Sequence, residues 1–243
     1  MSKAIFNWSG GKDSSLTLYH VLKNKTHNIH SLLTSVNGQY NRVSMHGVRV
    51  QLLKRQAEEI GLPLHQLVVP EMPTMEAYNN SMCETLNVFK EAGVTQSIFG
   101  DIFLEDLKKY REDQLAKVGM TGVFPIWKRP TDELAREFID LGFKTVLVCV
   151  NDRYLDKSFA GREFDEQLLK DFPKNVDPCG ENGEFHSFVY DGPIFKNPIR
   201  CERGDIVYKK YKPAAKQDND VCPSDDSDVF NTGFWYCDLL EKK

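Results

Sequence analysis

Five short runs rich in apolar or β-branched residues punctuate the first 150 positions: AIFNW (4–8), SLLTSV (31–36), LHQLVV (64–69), SIFG (97–100) and TVLVCV (145–150). Between them the apolar residues change period. Val50, Leu53, Ala57 and Ile60 form one stripe; Met75, Tyr78, Met82, Leu86 and Phe89 a second; Leu104, Leu107, Leu115 and Val118 a third, all spaced by threes and fours or their sums. Short apolar runs bury as strands, whereas stripes at that spacing put one face of a helix toward a core. A chain that alternates the two folds into a parallel sheet, because each crossover carries a helix back over one face or the other. Beyond residue 150 the pattern changes. EFHSFVYDG, IRCERGDIVYKK and GFWYCDLL read as strands without crossover helices between them, and they follow helical segments near 131–142 and 162–171. The expectation is an α/β unit, a parallel sheet with helices on both faces over residues 1–125, followed by a smaller α+β unit over residues 126–243.

Composition bears on partners more than on fold. With 41% hydrophobic and 27% charged residues the chain is ordinary globular material. Its net charge of −4 gives no general attraction to nucleic acid or anionic lipid. The one dense basic stretch, YKKYKPAAK (208–216), runs into the acidic DNDVCPSDDSD (218–228), and the pair reads as an edge strand entering a solvated loop. Both facts argue against a nucleic-acid partner. The longest apolar run, TVLVCV, falls far short of the roughly 18 residues of a membrane span, and the N-terminus lacks the apolar core of a secretory signal, so a cytoplasmic protein is expected. Six cysteines without a C-x-x-C pair read as reduced thiols and not as a zinc site or disulfide framework.

The heptapeptide SGGKDSS (9–15) stands between the first apolar run and the helical LTLYHVLK. In an open parallel sheet such a turn lies at the carboxyl end of a strand, where ligands collect. Its glycines let backbone amides turn inward, the next helix opens with unpaired N–H groups, and Lys12 adds a full positive charge, which together suit a phosphate. It is not a Walker A loop, because the glycine spacing is too narrow and Asp13 stands where a hydroxyl should follow the lysine. For an isolated Gly-Gly-Lys a capped glycine turn without ligand is an equal reading; the position after the first strand favours the phosphate.

SGGKDSS resembles the PP-loop of the ATP pyrophosphatases, which cleave ATP to AMP and pyrophosphate while adenylating a substrate. FGDIFLEDLKKYRED (99–113), FPIW (124–127) and above all GENGEFHSFVYDGPIF (180–195) are similar to the diphthine–ammonia ligase family, and SMHGVR (44–49) to a bacterial branch of it linked by inference to corrinoid metabolism. The chain departs from the family's usual Gly-Gly-Glu followed by Tyr and an acid, having Asn182, Gly183, Glu184, Phe185 and His186 there. The resemblance implies a HUP-like fold, ATP and Mg²⁺ as cofactors, and amidation of a carboxylate by ammonia through an acyl adenylate. It implies that Gly10 and Gly11 offer amides to the departing pyrophosphate, with Lys12 and the hydroxyls of Ser9, Ser14 and Ser15 stabilising its charge. Asp13 would order the loop or its Mg²⁺, although a helix N-cap is an equal reading. Ser35 to Asn37 would lie beside the base, and Gly100 and Asp101 would reach ribose or metal.

The remaining candidates are Glu181, Asn182 and Glu184 in the GENGE loop, with Glu181 and Glu184 both expected to project and to position or deprotonate ammonium, and Glu184 taken as the catalytic one. Isolated loop glutamates are otherwise ordinary solvated residues. Arg111, inside an apolar stripe, either grips a carboxylate or phosphate or covers the core with its stem. His46 and His186 are taken as substrate contacts and not metal ligands, since neither has a second histidine at helical spacing. Trp127 is either a packing residue or a stacking platform. The carboxylate is small or protein-borne, ammonia comes free or from a separate partner, and a homodimer is an open option. A tRNA-modifying enzyme and a nucleotide-sensing module without turnover are the alternatives.

Overall fold

The computed structural model describes residues 1–43, 46–70, 74–210 and 232–242. The chain runs β1 (Lys3–Asn7), α1 (Lys12–Asn24), β2 (Asn28–Asn37), β3 (Arg42–Val43), α2 (Val50–Ile60), β4 (Leu64–Val69), α3 (Met75–Glu91), β5 (Gln96–Ile98), α4 (Glu105–Lys117) and β6 (Thr121–Val123). It continues with α5 (Thr131–Asp140), β7 (Lys144–Asn151), α6 (Glu166–Asp171), β8 (Phe185–Asp191), β9 (Cys201–Lys210) and β10 (Gly233–Glu241). The first six strands form one sheet, in which β4, β2, β1, β5 and β6 are successive parallel neighbours and β3 alone is antiparallel, on β2. The last four form an antiparallel sheet in the order β8-β7-β10-β9. The expected mixed architecture is therefore present: a mostly parallel sheet flanked by helices, then a separate antiparallel sheet.

Alternation along the strands sorts the core. Phe6 and Leu32 face a large apolar cluster with Leu16, Leu18, Leu52 and Leu53 of α1 and α2, whereas their neighbours Ile5 and Leu33 face a second cluster with Leu86, Phe89 and Leu115 of α3 and α4. Successive side chains on a strand point to opposite faces, so each central strand supplies both layers. The larger cluster also contains Val148, Val150, Phe185 and Phe188 of the second sheet, and one continuous core thus joins the two sheets.

TVLVCV, read as the last strand of the alternation, is instead an inner strand of the antiparallel sheet, between β8 and β10. A strand buried on both faces carries the same apolar run in either kind of sheet, so its composition did not separate the two. The short β3 and β6 had no sequence signal. The expected division at 125/126 falls between β6 and α5. β9 is an edge strand; the rest of the basic stretch and the acidic loop, together with Ser44, Met45 and Cys222, lie outside the described residues. The five described cysteines are free thiols. No helix among the described residues is long and apolar enough to cross a membrane.

Candidate active site

The glycine turn joins the end of β1 to α1. Gly10 is left-handed (φ 77°), and a Cβ on it would lie 2.7 Å from Gln56 Oε1, so both conformation and space require glycine there. Gly11 is the helix N-cap and has no side-chain cap bond. Its carbonyl accepts from the Ser14 and Ser15 hydroxyls, each at 2.9 Å, and its N–H donates to Ser9 Oγ at 3.2 Å. Asp13 is therefore not the N-cap. It sits inside the first helical turn, with its carboxylate 2.6 Å from Lys12 Nζ. The second sheet props the turn from outside: Lys12 N donates to Ser187 Oγ at 3.1 Å and Val189 N to Gly10 O at 2.9 Å. Gln56 completes the scaffold, donating to Gly10 O (3.0 Å) and Val189 O (2.6 Å) and accepting from the Trp8 indole (3.0 Å).

This turn opens on a cavity of about 1450 Å³ at the carboxyl ends of the parallel strands. One wall is the cradle itself, with Ser9, Lys12, Asp13 and Ser14, faced by Gly100 and Asp101 after β5. A second, apolar wall lies between α3 and α4 and is made by Tyr78, Met82, Phe99, Leu107 and Leu115. A third is polar and comes from the β3 turn, the loop before β8, and strands β9 and β10.

Charge is concentrated at the cradle. The Lys12 ammonium, only 2% exposed, donates to Asp13 and to Cys179 O at 2.5 Å. Burial alone would lower its pKa, but the Asp13 carboxylate outweighs that and holds it above the usual lysine value. Burial raises Asp13 against the opposing pull of Lys12, and raises Asp101 against that of Arg111. Glu181 is pushed up to about 7 by burial and by the nearby Asp13 carboxylate; its Oε1 accepts from Ile102 N at 2.8 Å. Arg111 is a paired arginine: its Nε lies 2.6 Å from Asp101 Oδ2 and its guanidinium sits 4.4 Å from the centre of the Phe99 ring. Among the described residues no group of three or more His, Cys, Asp or Glu is arranged to hold a metal ion.

The cavity gathers most of the expected residues. Gly11, Ser35, His46, Arg111, Glu181 and His186 line it along with the cradle side chains and Asp101. Five do not. Gly10 turns its carbonyl into the scaffold, and Ser15, fully buried, bonds back to Gly11. Trp127 packs on Phe124 and under the Lys108 ammonium, which makes it a packing residue. Asn182 is exposed and bonds to Glu184. Glu184 itself was expected to project, but it is completely buried: its oxygens accept from Asp177 N, Asn182 N and Asn182 Nδ2 at 2.9 to 3.0 Å. A carboxylate so enclosed organises its own loop and cannot reach ammonium in the cavity. Gln56, Ser187 and Asp238 were missed. Only Gln56 had a signal, as a polar residue on the buried face of the α2 stripe.

A glycine turn at a helix N-terminus, opening on a large cavity at the carboxyl ends of a parallel sheet, defines the class of α/β protein in which ligands collect at the strand ends. Two family models narrow it: the diphthamide synthase N-terminal domain matches residues 2–122 and the diphthamide synthase C-terminal domain residues 130–217. The chain belongs to the diphthamide synthase family. Among its relatives, the human diphthine–ammonia ligase is 25% identical over 168 residues, 62% of each chain. The zebrafish (Danio rerio) diphthine–ammonia ligase is 25% identical over 222 residues, 82% of this chain and 86% of the relative. The match with the human protein thus spans about three-fifths of that protein's length.

Proposed function

We propose that this chain is an ATP-dependent ligase of the diphthine–ammonia ligase kind, which cleaves ATP to AMP and pyrophosphate, adenylates a carboxylate and passes the acyl group to ammonia. The observation that carries this reading is the cradle: a buried, charged Lys12 beside a glycine turn at the N-terminus of α1, opening on a cavity wide enough for nucleotide and acid together. A carboxylate is a poor electrophile, and transfer of AMP converts it to a mixed anhydride with a good leaving group. The Lys12 ammonium and the positive end of α1 would then stabilise charge on the departing pyrophosphate, beside the Ser9 and Ser14 side chains that line the cavity. Mg²⁺ bound to phosphates needs only one or two protein carboxylates. Asp13 in the cradle and Asp101 facing it both line the cavity and fit that need, and the ion would neutralise phosphate charge.

Of the two glutamates expected to handle ammonium, Glu181 keeps that part. A carboxyl with its pKa raised to about 7 can accept a proton near neutrality, and it lines the cavity. Glu184 holds the loop that presents it. The acid is small or protein-borne, and the reading places the chain in the cytoplasm, where ATP and ammonium are at hand.

The test is incubation with Mg²⁺-ATP, ammonium and a panel of acids. One acid should trigger release of AMP and pyrophosphate, and Lys12→Ala should lower that turnover about a hundredfold, the scale of a lost electrostatic stabiliser. ADP and orthophosphate as the acid-dependent products would refute the reading. ATP binding without turnover for any acid would favour a nucleotide-sensing module.

A further inference from the structure

The polar wall of the cavity is tied together by one carboxylate. Asp238, in β10, accepts from Arg42 Nη1 at 2.9 Å and from both Nε and Nη2 of Arg49, at 3.1 and 2.7 Å. These arginines flank the turn that carries His46 and Gly47, and Arg42 Nη1 also donates to Gly47 O at 2.6 Å. Gly47 is left-handed (φ 70°), and a Cβ on it would stand 2.8 Å from the Tyr236 ring, so the turn is pressed against β10. The turn also makes a ring contact with the second sheet: the His46 imidazole lies against that of His186 in β8, with centroids 4.5 Å apart and planes tilted by 36°.

Both imidazoles line the cavity, and His186 stands one residue before the serine that holds the Lys12 amide. Burial, with the neighbouring His46 and Lys12, pushes the His186 pKa down to about 3. At neutral pH its ring is uncharged, with one N–H donor and one acceptor nitrogen. The charge of the lobe is favourable to an anion. Arg42 and Arg49 pair with Asp238, and Lys209 and Lys210 line the cavity against Asp205. Burial opposes the ionised form of Asp238, but Arg49 and Arg42 outweigh it and hold its carboxyl at about 2.

We propose that this lobe is the subsite for the acid's carboxylate, that His46 and His186 are the donors which recognise it, and that Asp238 is a positioning residue holding His46 there through Arg42 and Arg49. The assignment rests on the ligase reading above for the carboxylate, and on the clamp geometry for everything else.

The experiment uses the full chain with ¹⁵N-labelled histidine, saturated with Mg²⁺ and α,β-methylene-ATP and titrated with glutarate as a plain carboxylate probe. The imidazole resonances of His46 and His186 should shift and saturate together. Asp238→Asn and His46→Ala should each weaken glutarate binding about tenfold or more, the scale of one lost hydrogen bond to a charged group. The affinity for the ATP analogue should stay at the wild-type value. Absence of a saturable imidazole shift, or unchanged glutarate affinity in both variants, would overturn the assignment. Loss of analogue binding in Asp238→Asn would reduce the clamp to a structural tie and overturn the positioning role. If glutarate binds as described while no acid releases AMP, the ligase reading falls and the subsite stands; if an acid releases AMP while the imidazoles stay unmoved, the subsite alone falls.

Discussion

Gln56 is the most exposed point of the scaffold to a decisive test, although it touches no ligand. Its side chain is fully buried and joins three elements: it donates to Gly10 O of the glycine turn and to Val189 O of β8, and accepts from the indole of Trp8. Gln56→Leu keeps the side chain's approximate size and removes all three bonds. Gly10 O retains the bond from Val189 N, so the groups newly left without this partner are chiefly the Trp8 N–H and Val189 O. At about 1–3 kcal/mol for each buried group left unpaired, less the gain from burying leucine, the net loss is about 3 kcal/mol. For a domain of this size that lowers Tm by about 6–12 °C. Thermal and urea unfolding of the variant measure it directly, and calorimetry should show weaker binding of Mg²⁺-ATP because Gly10 has lost an anchor. A stability change under about 1 kcal/mol would refute the reasoning, since it would mean that these groups find water or other partners.

Two further outcomes follow from the cradle. A Cβ at Gly100 would lie 3.1 Å from the backbone of Asp13 and Ser14, atoms that cannot rotate away, so Gly100→Ala should displace the start of α1 and weaken ATP binding measured by calorimetry; an unchanged affinity would show that the close approach is not needed. Glu181 has a folded pKa near 7, above its ordinary 4.5, so it binds more protons folded than unfolded in that window, and its contribution to stability is lost as pH rises through about 7. The Tm of Glu181→Gln relative to wild type should therefore rise between about pH 5 and about pH 8, and a pH-independent difference would contradict the raised pKa.

The apolar stripes show where sequence patterning stops. On α2 the stripe is core, with Val50, Leu53 and Ala57 buried and Ile60 half-buried against the larger cluster. On α3 only Leu86 and Phe89 of the predicted stripe are buried, Met75 is 63% exposed, and Tyr78 and Met82 face the cavity. On α4, Leu107 likewise faces the cavity and only Leu115 within the helix is buried. An apolar face at helical spacing reports that something apolar or partly enclosed lies opposite, and a ligand cavity satisfies that as well as a core does. Arg111 belongs to the same face. Its place in the stripe demanded a partner or a path to water, but nothing local named Asp101.

By itself the sequence determined what depends on neighbours in the chain: the strand runs, the helical faces, and the glycine turn between β1 and α1 with its lysine. Backbone conformation and side-chain period are local properties, so they are written locally. The tertiary structure alone decided that TVLVCV joins an antiparallel sheet, that Glu184 is sealed inside its loop while Glu181 faces the cavity, and that His46 meets His186. It also decided that Ser187, 175 residues away, holds the amide of Lys12, and that Asp238, 189 residues from Arg49, clamps the turn beside it. Those pairings arise when two sheets bury one common core, and the orientation of a loop carboxylate is then set by which N–H groups the packing brings within reach. No spacing along the chain encodes that choice, because the partners are fixed by distance in space and by the cost of leaving a buried polar group unpaired.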